Sequence, residues 1–506
     1  MNQFFGRTFW TALGVSALLY ALALVAYGSS LSVALLLTLA LGTAILSYVR
    51  LERGLFLVFI ELFSNPHGAL ITSELDGFSV SLRMALFAGV MVGWFIGWTT
   101  KRHRLNLTDG RARPFVLLGL AVTLGFVVGL IQREAVTVFR DGNAYLYLLY
   151  LLPILSVSWN ARLRGELLQL LASGALWVSG LSLALLYVFT HFSPDVLLPT
   201  YAFFRDSRVA EITNLGGVYR VFIQSQVFTI IFGLVLLSFS VFARNRRGLV
   251  LLSSLPIATA LLALSRSFWI GIAVSLACMT VLLWQQLRPK VRHLLHVAGS
   301  SLSAVLLSIV LIALVVLFPL PAQDLTGYDL ALALKERTAN EDDVAVRSRW
   351  QLLAPMVESV LHSPLTGQGF GASVTFITDD PRVREIRPDG TWTTSSMEWG
   401  WLELWLKMGI LGPAAFLYAA YELLKRLRGY QWTDQAWLFT ALMSSLVFVF
   451  VTHFFSPYLN HPIGLGFLLF LVPFLPAKKP AEAVAGVTLA PSLSKAAVPA
   501  LTSERG

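Results

Sequence analysis

Val297-Ala-Gly-Ser-Ser-Leu-Ser-Ala-Val-Leu-Leu-Ser-Ile-Val-Leu-Ile-Ala-Leu-Val-Val-Leu-Phe318 runs for 22 residues without a charge. As a helix rising 1.5 Å per residue, such a run crosses a hydrocarbon core of roughly 30 Å. A single run of this kind is compatible with a buried core helix. Repetition decides against that, because Leu31 to Val49 and Phe268 to Trp284 are blocks of the same kind. Of 506 residues, 56% are hydrophobic and 13% charged, more apolar surface than a water-soluble chain of this length can hide. The fold class expected is therefore all-α: a polytopic integral membrane protein with about 14 transmembrane helices (12–14).

The expected span cores start at Phe9, Leu31, Gly54, Ser79, Phe115, Ala144, Glu166, Tyr219, Gly248, Phe268, Val297, Trp401, Gln435 and Asn460. Gly54 to Ser64 is the shortest, and Asn65-Pro66-His67-Gly68 breaks it, so a re-entrant segment is the alternative there. The first block follows a single Arg7 and reads as a signal anchor. Cys278 is the only cysteine, which excludes an intrachain disulfide and a cysteine metal site.

The net charge of +10 is distributed by loop. Arg50 to Arg53, Lys101 to Arg104 with Arg111 and Arg113, Arg162 and Arg164, Arg244 to Arg247, Arg288 to Arg292, Lys425 to Arg428, and Lys478-Lys479 form short basic loops. Such loops face the cytoplasm. The alternate loops are longer and mixed in sign, and should face the periplasm. Both termini are then cytoplasmic, and the charge excess needs no nucleic acid. Four regions are expected: transmembrane helices in 1–318, a large periplasmic loop with amphipathic helices in 319–399, further transmembrane helices in 400–476, and a disordered cytoplasmic tail in 477–506.

Within the large loop, Val346, Trp350, Leu353, Val357, Val360 and Leu361 fall at helical spacing and predict an amphipathic helix on the membrane surface. Ser363-Pro364-Leu365-Thr366-Gly367-Gln368-Gly369-Phe370-Gly371 follows. This stretch is either a tight turn or a phosphate cradle made of backbone N–H groups. Arg266, Arg220 and Arg83 sit near span ends, where a guanidinium either snorkels to headgroups or holds a forked anion. Glu398 has two readings as well. Ser395-Ser396-Met397-Glu398 has capping-box spacing, and a carboxylate at a membrane face is also a candidate general base. Glu403 and Lys407 are four apart and neutralise each other. His453, Asn460 and His461 lack a carboxylate at ligand spacing, so a surface or packing role is expected and no metal site.

Three stretches resemble the O-antigen ligase and polymerase superfamily of bacterial cell-surface polysaccharide assembly. Leu264-Ser265-Arg266-Ser267-Phe268-Trp269 is similar to the family's Ser-Arg-small-aromatic span start. Arg347-Ser348-Arg349-Trp350 and the glycine stretch resemble its Arg…Trp helix followed by a Pro-Leu-x-Gly-x-Gly-x-Gly turn. Glu398 through Gly412, ending Gly409-Ile410-Leu411-Gly412, resembles the ligase motif of His, a polar residue, nine residues and Gly-x-x-Gly. The resemblance spans about 219–474. It departs at Glu398, which replaces the His, and at Trp399, which replaces the polar residue.

The resemblance implies an undecaprenyl-diphosphate-linked saccharide as donor, a saccharide or lipid acceptor, and inverting glycosyl transfer without metal or other cofactor. It also implies other polysaccharide-assembly proteins as partners and a place in the bacterial inner membrane. Arg266, Arg220 and Arg347, with Gly367 and Gly369, would bind the diphosphate, and Glu398 would be the base. The departure at Glu398 favours a repeat-unit polymerase; a ligase to lipid A-core or another acceptor, including protein, is the alternative. A transporter or flippase is a third reading, but inverted repeats are not evident and the informative charges gather toward one face.

Overall fold

The computed structural model describes residues 3–75, 78–108, 110–215, 218–242, 247–287, 291–319 and 344–476. The expected tail in 477–506 and residues 320–343 of the expected loop lie outside the described residues.

Helices dominate. The first thirteen are α1 (Arg7–Ala26), α2 (Leu31–Val49), α3 (Leu51–Ser64), α4 (Leu82–Thr99), α5 (Arg113–Gln132), α6 (Ala135–Gly142), α7 (Leu151–Leu155), α8 (Ala161–His191), α9 (Pro194–Asp206), α10 (Gln226–Phe242), α11 (Arg247–Leu262), α12 (Arg266–Leu287) and α13 (Val291–Leu317). The remaining six are α14 (Val344–His362), α15 (Pro381–Ile386), α16 (Gly400–Met408), α17 (Leu411–Leu427), α18 (Ala436–Thr452) and α19 (Pro462–Leu471). Among the described residues, three two-stranded antiparallel hairpins stand between helices: β1 (Thr72–Leu75) with β2 (Phe78–Ser81), β3 (Glu211–Leu215) with β4 (Val218–Phe222), and β5 (Val374–Ile377) with β6 (Thr391–Thr394).

Among the described residues, seven helices are long and apolar enough to cross a membrane, or eight if α16 and α17, bent by 118° at Gly409, count as one broken span. Four shorter apolar helices accompany them. Length and composition of the described helices do not reach the 14 expected. The expected start at Ala144 is a 3₁₀ helix, Asn143–Tyr150, leading into the short α7. Pro153 there has no N–H to continue an α-helical ladder. The expected span from Tyr219 opens instead as strand β4, and the helix begins only at Gln226. Val218-Tyr219-Arg220-Val221-Phe222 is β-branched and aromatic, with Val218 and Val221 buried, and suits a strand better than a helix start. Gly54 to Ser64 forms most of α3, whose second half is buried on every side.

Packing follows the rules of a membrane interior, where close backbone approach replaces the hydrophobic effect. Gly89 and Gly93, four apart on α4, lie against α2, and an added Cβ would come within 2.5 Å of Ala40 O and 2.3 Å of Ala44 O. α8, the longest helix, packs on α1, α3, α10, α11 and α13. Ser238 of α10 donates to Trp437 O of α18 at 2.7 Å, and Arg83 closes the turn after α3 through Glu61 at 3.0 Å and the carbonyls of Asn65 and Pro66. Arg83 is thus held inside the protein and does not snorkel.

In the large loop α14 has the expected helical form, with two apolar faces. Leu352, Met356 and Val360 pack with Val374, Phe376, Met397 and Leu406 into a small core of their own. Val360 therefore belongs to the buried face. Trp350, Val357 and Leu361 remain exposed, in the stripe expected to meet the membrane surface.

Candidate functional site

A polar cavity of about 460 Å³ opens where the β3–β4 hairpin, the α11–α12 turn, the start of α14, the segment before α16 and the α18–α19 loop meet. Arg220, Arg266, Arg349, Glu211, Glu398, His67, His461 and Tyr458 contribute its ionisable groups. Three guanidiniums against two carboxylates leave a surplus of positive charge in a partly desolvated space, which favours a polyanion.

Each arginine is placed by a different local device. Arg220 stands opposite Thr213 in the β3–β4 register. Its Nε donates to Ala263 O at 2.9 Å, its guanidinium lies 4.7 Å from the centre of the Phe222 ring, and Glu211 is 3.8 Å away. It therefore reaches the cavity from a strand and not from a helix end. Arg266 is the first residue of α12, after a reversal so tight that Leu264 takes φ +44°, a conformation uncommon for a leucine. Ser267 ties this turn to the α18–α19 loop through Ser456 Oγ at 3.1 Å.

Arg349, on the second turn of α14, forms an ion pair with Glu398. Trp399 Nε1 donates to Arg349 O at 2.9 Å, and the Trp350 and Trp399 rings meet at 5.3 Å. α16 begins only at Gly400, and its N-cap residue Trp399 makes no side-chain capping bond. Ser395 is too far back to cap it, and its carbonyl accepts from Lys407 at 3.1 Å. The capping-box reading of Glu398 is overturned: its carboxylate faces the arginine.

Of the residues singled out in the sequence, Arg220, Arg266 and Glu398 line the cavity together, whereas Arg347, Gly367 and Gly369 do not. At 100° per residue, Arg347 lies about 200° around α14 from Arg349. The arginine of the Arg-Ser-Arg pair that reaches the cavity is the second. The glycine turn is used for close packing. Gln368 N–H donates to Leu406 O at 2.7 Å and Phe370 N–H to Gly125 O at 3.0 Å. A Cβ on Gly367 would stand 2.4 Å from Gly409 N, and one on Gly369 2.2 Å from Gly129 N.

The places of His461 and His67 at the cavity are not legible in the sequence. His461 lines the cavity and caps α19, its Nδ1 accepting from Ile463 N–H at 3.3 Å. The proton of the neutral ring is then on Nε2. His67, from the turn after α3, meets it ring to ring at 5.3 Å. Burial, helped by Arg83 and Arg208, pushes His67 down to about 4. Burial likewise holds His461 well below its ordinary value. His453 is buried at the C-terminal end of α18, in a packing place.

Lys407 joins Glu403 as expected and adds Asp141 of α6 at 2.6 Å. Asp141 also accepts from Gly371 N–H at 2.7 Å. This network binds α6, the glycine turn and α16 together, and Lys407 also reaches the carbonyl of Ser395, three residues before Glu398.

Comparison with curated proteins gave no match, and comparison with solved structures gave none. The O-Antigen ligase family model matches residues 249–417, from α11 into α17, a stretch that holds Arg266, Arg349 and Glu398 but not Arg220. Over those residues this multi-pass membrane chain is similar to the O-Antigen ligase family.

Proposed function

We propose that the protein is a repeat-unit polymerase for an O-antigen or exopolysaccharide, acting at the periplasmic face of the bacterial inner membrane on an undecaprenyl-diphosphate-linked glycan. The observation that carries this reading is the meeting of Arg220, Arg266, Arg349 and Glu398 around one cavity. Forked guanidinium donors match the oxygens of a diphosphate, and the charge they neutralise grows as the leaving group departs. Glu398 takes the proton of the acceptor hydroxyl. The hydroxyl oxygen bonds to the anomeric carbon from the face opposite the diphosphate. The bond from that carbon to the phosphate oxygen breaks, and its electron pair stays with undecaprenyl diphosphate. The configuration inverts, and neither a metal nor another cofactor takes part.

Arg347 has no place in this scheme, and the glycine turn packs against α5 and α16. The short basic loops favour cytoplasmic termini and a periplasmic cavity. Counting the four shorter apolar helices as crossings, with the bent pair as one span, gives 12 crossings among the described residues, the lower end of the 12–14 expected, in the regions 1–318 and 400–476 around the loop 319–399.

Transfer to lipid A-core or to another acceptor, including protein, is the second reading. The family description favours it, and the Glu398 in place of the ligase His weighs against it.

The test is a pair of variants in the native host. Arg266→Ala and Glu398→Gln each abolish high-molecular-weight polysaccharide while the protein still inserts. Normal polymer lengths in Glu398→Gln overturn the base assignment. In a deletion strain, single repeat units on the acceptor indicate a lost polymerase, and long chains retained on undecaprenyl diphosphate indicate a lost ligase.

A further inference from the structure

Glu398 borders two spaces. With Arg349 and Ser396 it lines the polar cavity, and the same three residues line a groove of about 370 Å³ that enters the large loop between α14, the β5–β6 hairpin and α15. That volume is within the roughly 300–1,000 Å³ of small-ligand sites. The hairpin register sets the groove's lining. Phe376 pairs with Trp392, and Val374 with Thr394. Residues paired directly point to one face of a hairpin. Val374 joins the small core with Leu352 and Met356, so that face turns toward α14. The other face carries Ile377, 65% exposed, and the Thr375 and Thr393 hydroxyls, 2.8 Å apart. Two hydrogen bonds clamp the hairpin to the helix. Gln351 Nε2 donates to Asp379 Oδ2 at 2.8 Å, and Gln351 Oε1 accepts from Asp379 N–H at 3.3 Å.

The two spaces differ in charge. Around the polar cavity three guanidiniums meet two carboxylates. Around the groove, among the described residues, the guanidinium of Arg349 meets the carboxylates of Glu398 and Asp380. A phosphate-bearing ligand suits the first space and is repelled from the second, where the one cation is already paired with Glu398. The rest of the groove is aromatic and hydroxylic. Phe376 is buried, whereas Trp392, across the register from it, is 39% exposed. Ser348, Thr378, Thr394 and the Asp380 carboxylate supply hydrogen-bonding oxygens. A sugar ring matches such a lining. One of its faces is made of C–H groups and covers an indole, while its edge of hydroxyls needs donors and acceptors.

We propose that this groove is an acceptor subsite for an uncharged saccharide end, stacked on Trp392, with the attacking hydroxyl presented to Glu398. The proposal rests on the transfer reading above for the role of Glu398. The saccharide site itself stands on the groove and its lining. A base has to reach the acceptor's proton while the acceptor oxygen reaches the donor. A carboxylate shared by an anion-attracting space and a neutral one meets both conditions.

The experiment uses the full chain in phospholipid nanodiscs. Its probe is the repeat-unit oligosaccharide released from the host polysaccharide by mild acid, with a diazirine at the reducing end and no lipid. Labelled residues are mapped by mass spectrometry. Labelling is expected on β5, β6 and α14. The unlabelled oligosaccharide should compete, the same oligosaccharide carrying a phosphate should compete about tenfold more weakly, and inorganic diphosphate should not compete. Trp392→Ala should lower labelling about fivefold or more, and Trp392→Phe should keep most of it. Ile377→Ala, on the other face of the hairpin, should leave it unchanged. In glycan transfer, Trp392→Ala should raise the acceptor KM about tenfold with kcat and the donor KM unchanged. An unlabelled hairpin, equal competition by the phosphorylated oligosaccharide, or competition by diphosphate overturns the proposal. If transfer depends on Arg266 and Glu398 while Trp392→Ala leaves the acceptor KM unchanged, the acceptor subsite falls alone. If the groove is labelled and no glycan is transferred, the saccharide site stands and the transfer reading falls.

Discussion

Lys407 Nζ lies 2.6 Å from Asp141 Oδ1, joining α16 to α6 across a sequence separation of 266 residues. The lysine side chain is 4% exposed and Glu403, its other partner, 5%. A buried cation between two carboxylates repays its desolvation only while all three remain. Lys407→Met leaves two uncompensated carboxylates and is expected to cost about 3–5 kcal/mol. Thermal unfolding of the purified protein measures it. An unchanged melting temperature would mean that the network contributes nothing to stability.

Arg349 and Glu398 form an ion pair at the polar cavity. Both side chains are partly exposed, so the pair by itself adds little to stability. Its weight is in the chemistry. Arg349→Ala is expected to lower glycan transfer by about a hundredfold or more, the range for loss of a charge-stabilising donor, with little change in melting temperature. The exchanged pair, Arg349→Glu with Glu398→Arg, restores the ion pair but not transfer. Recovery of polymer in the exchanged protein would assign the pair a structural role.

His67 is held neutral, its proton affinity pushed down to about 4 by burial. In the unfolded chain it takes a proton near 6.5. The unfolded state therefore binds the extra proton first as pH falls, and stability is lost progressively from about 6.5 toward 4. Melting temperatures across that range should decline, and His67→Gln should flatten the decline. A slope unaffected by the substitution would place the acid sensitivity in other groups.

Gly369 takes φ +78° with its missing Cβ directed at Gly129 N, 2.2 Å away. Gly369→Ala adds a left-handed strain of about 1–3 kcal/mol to a clash with backbone that cannot swing aside. The expected result is a sharp fall in the amount of inserted protein. Gly14→Ala, with nothing within 4 Å of the added atom, should be silent. If Gly369→Ala inserts normally but fails only in donor binding, the turn belongs to the ligand site after all.

Much of the candidate site was legible as a sequence, and its errors share a cause. Arg266 was found because a tight turn between two apolar runs leaves an arginine at membrane depth. Arg220 was found for a partly wrong reason, since its segment is a strand: apolar content predicts burial, and a short β-branched run satisfies a hairpin and a helix equally. Arg347 and Arg349 stand two apart in the sequence, and helix phase has no meaning until the partner is placed; that partner is Glu398, 49 residues on from Arg349. The glycine stretch announced positive φ without saying whether ligand or protein would fill the space above it.

By itself the sequence determined the apolar helices, the segregation of basic loops, the helix in the large loop, and the presence of arginines and a carboxylate near span ends. These follow from local composition, because a bilayer punishes each buried charge and unbonded amide wherever it stands. Only the tertiary structure decided which charges meet. It set Arg349 on Glu398, Asp141 on Lys407, and the hairpin's Arg220 beside Arg266. Those contacts depend on how helices distant in the chain rotate and cross, which the packing of small residues such as Gly89, Gly93 and Gly233 settles only once the partner surface is in place.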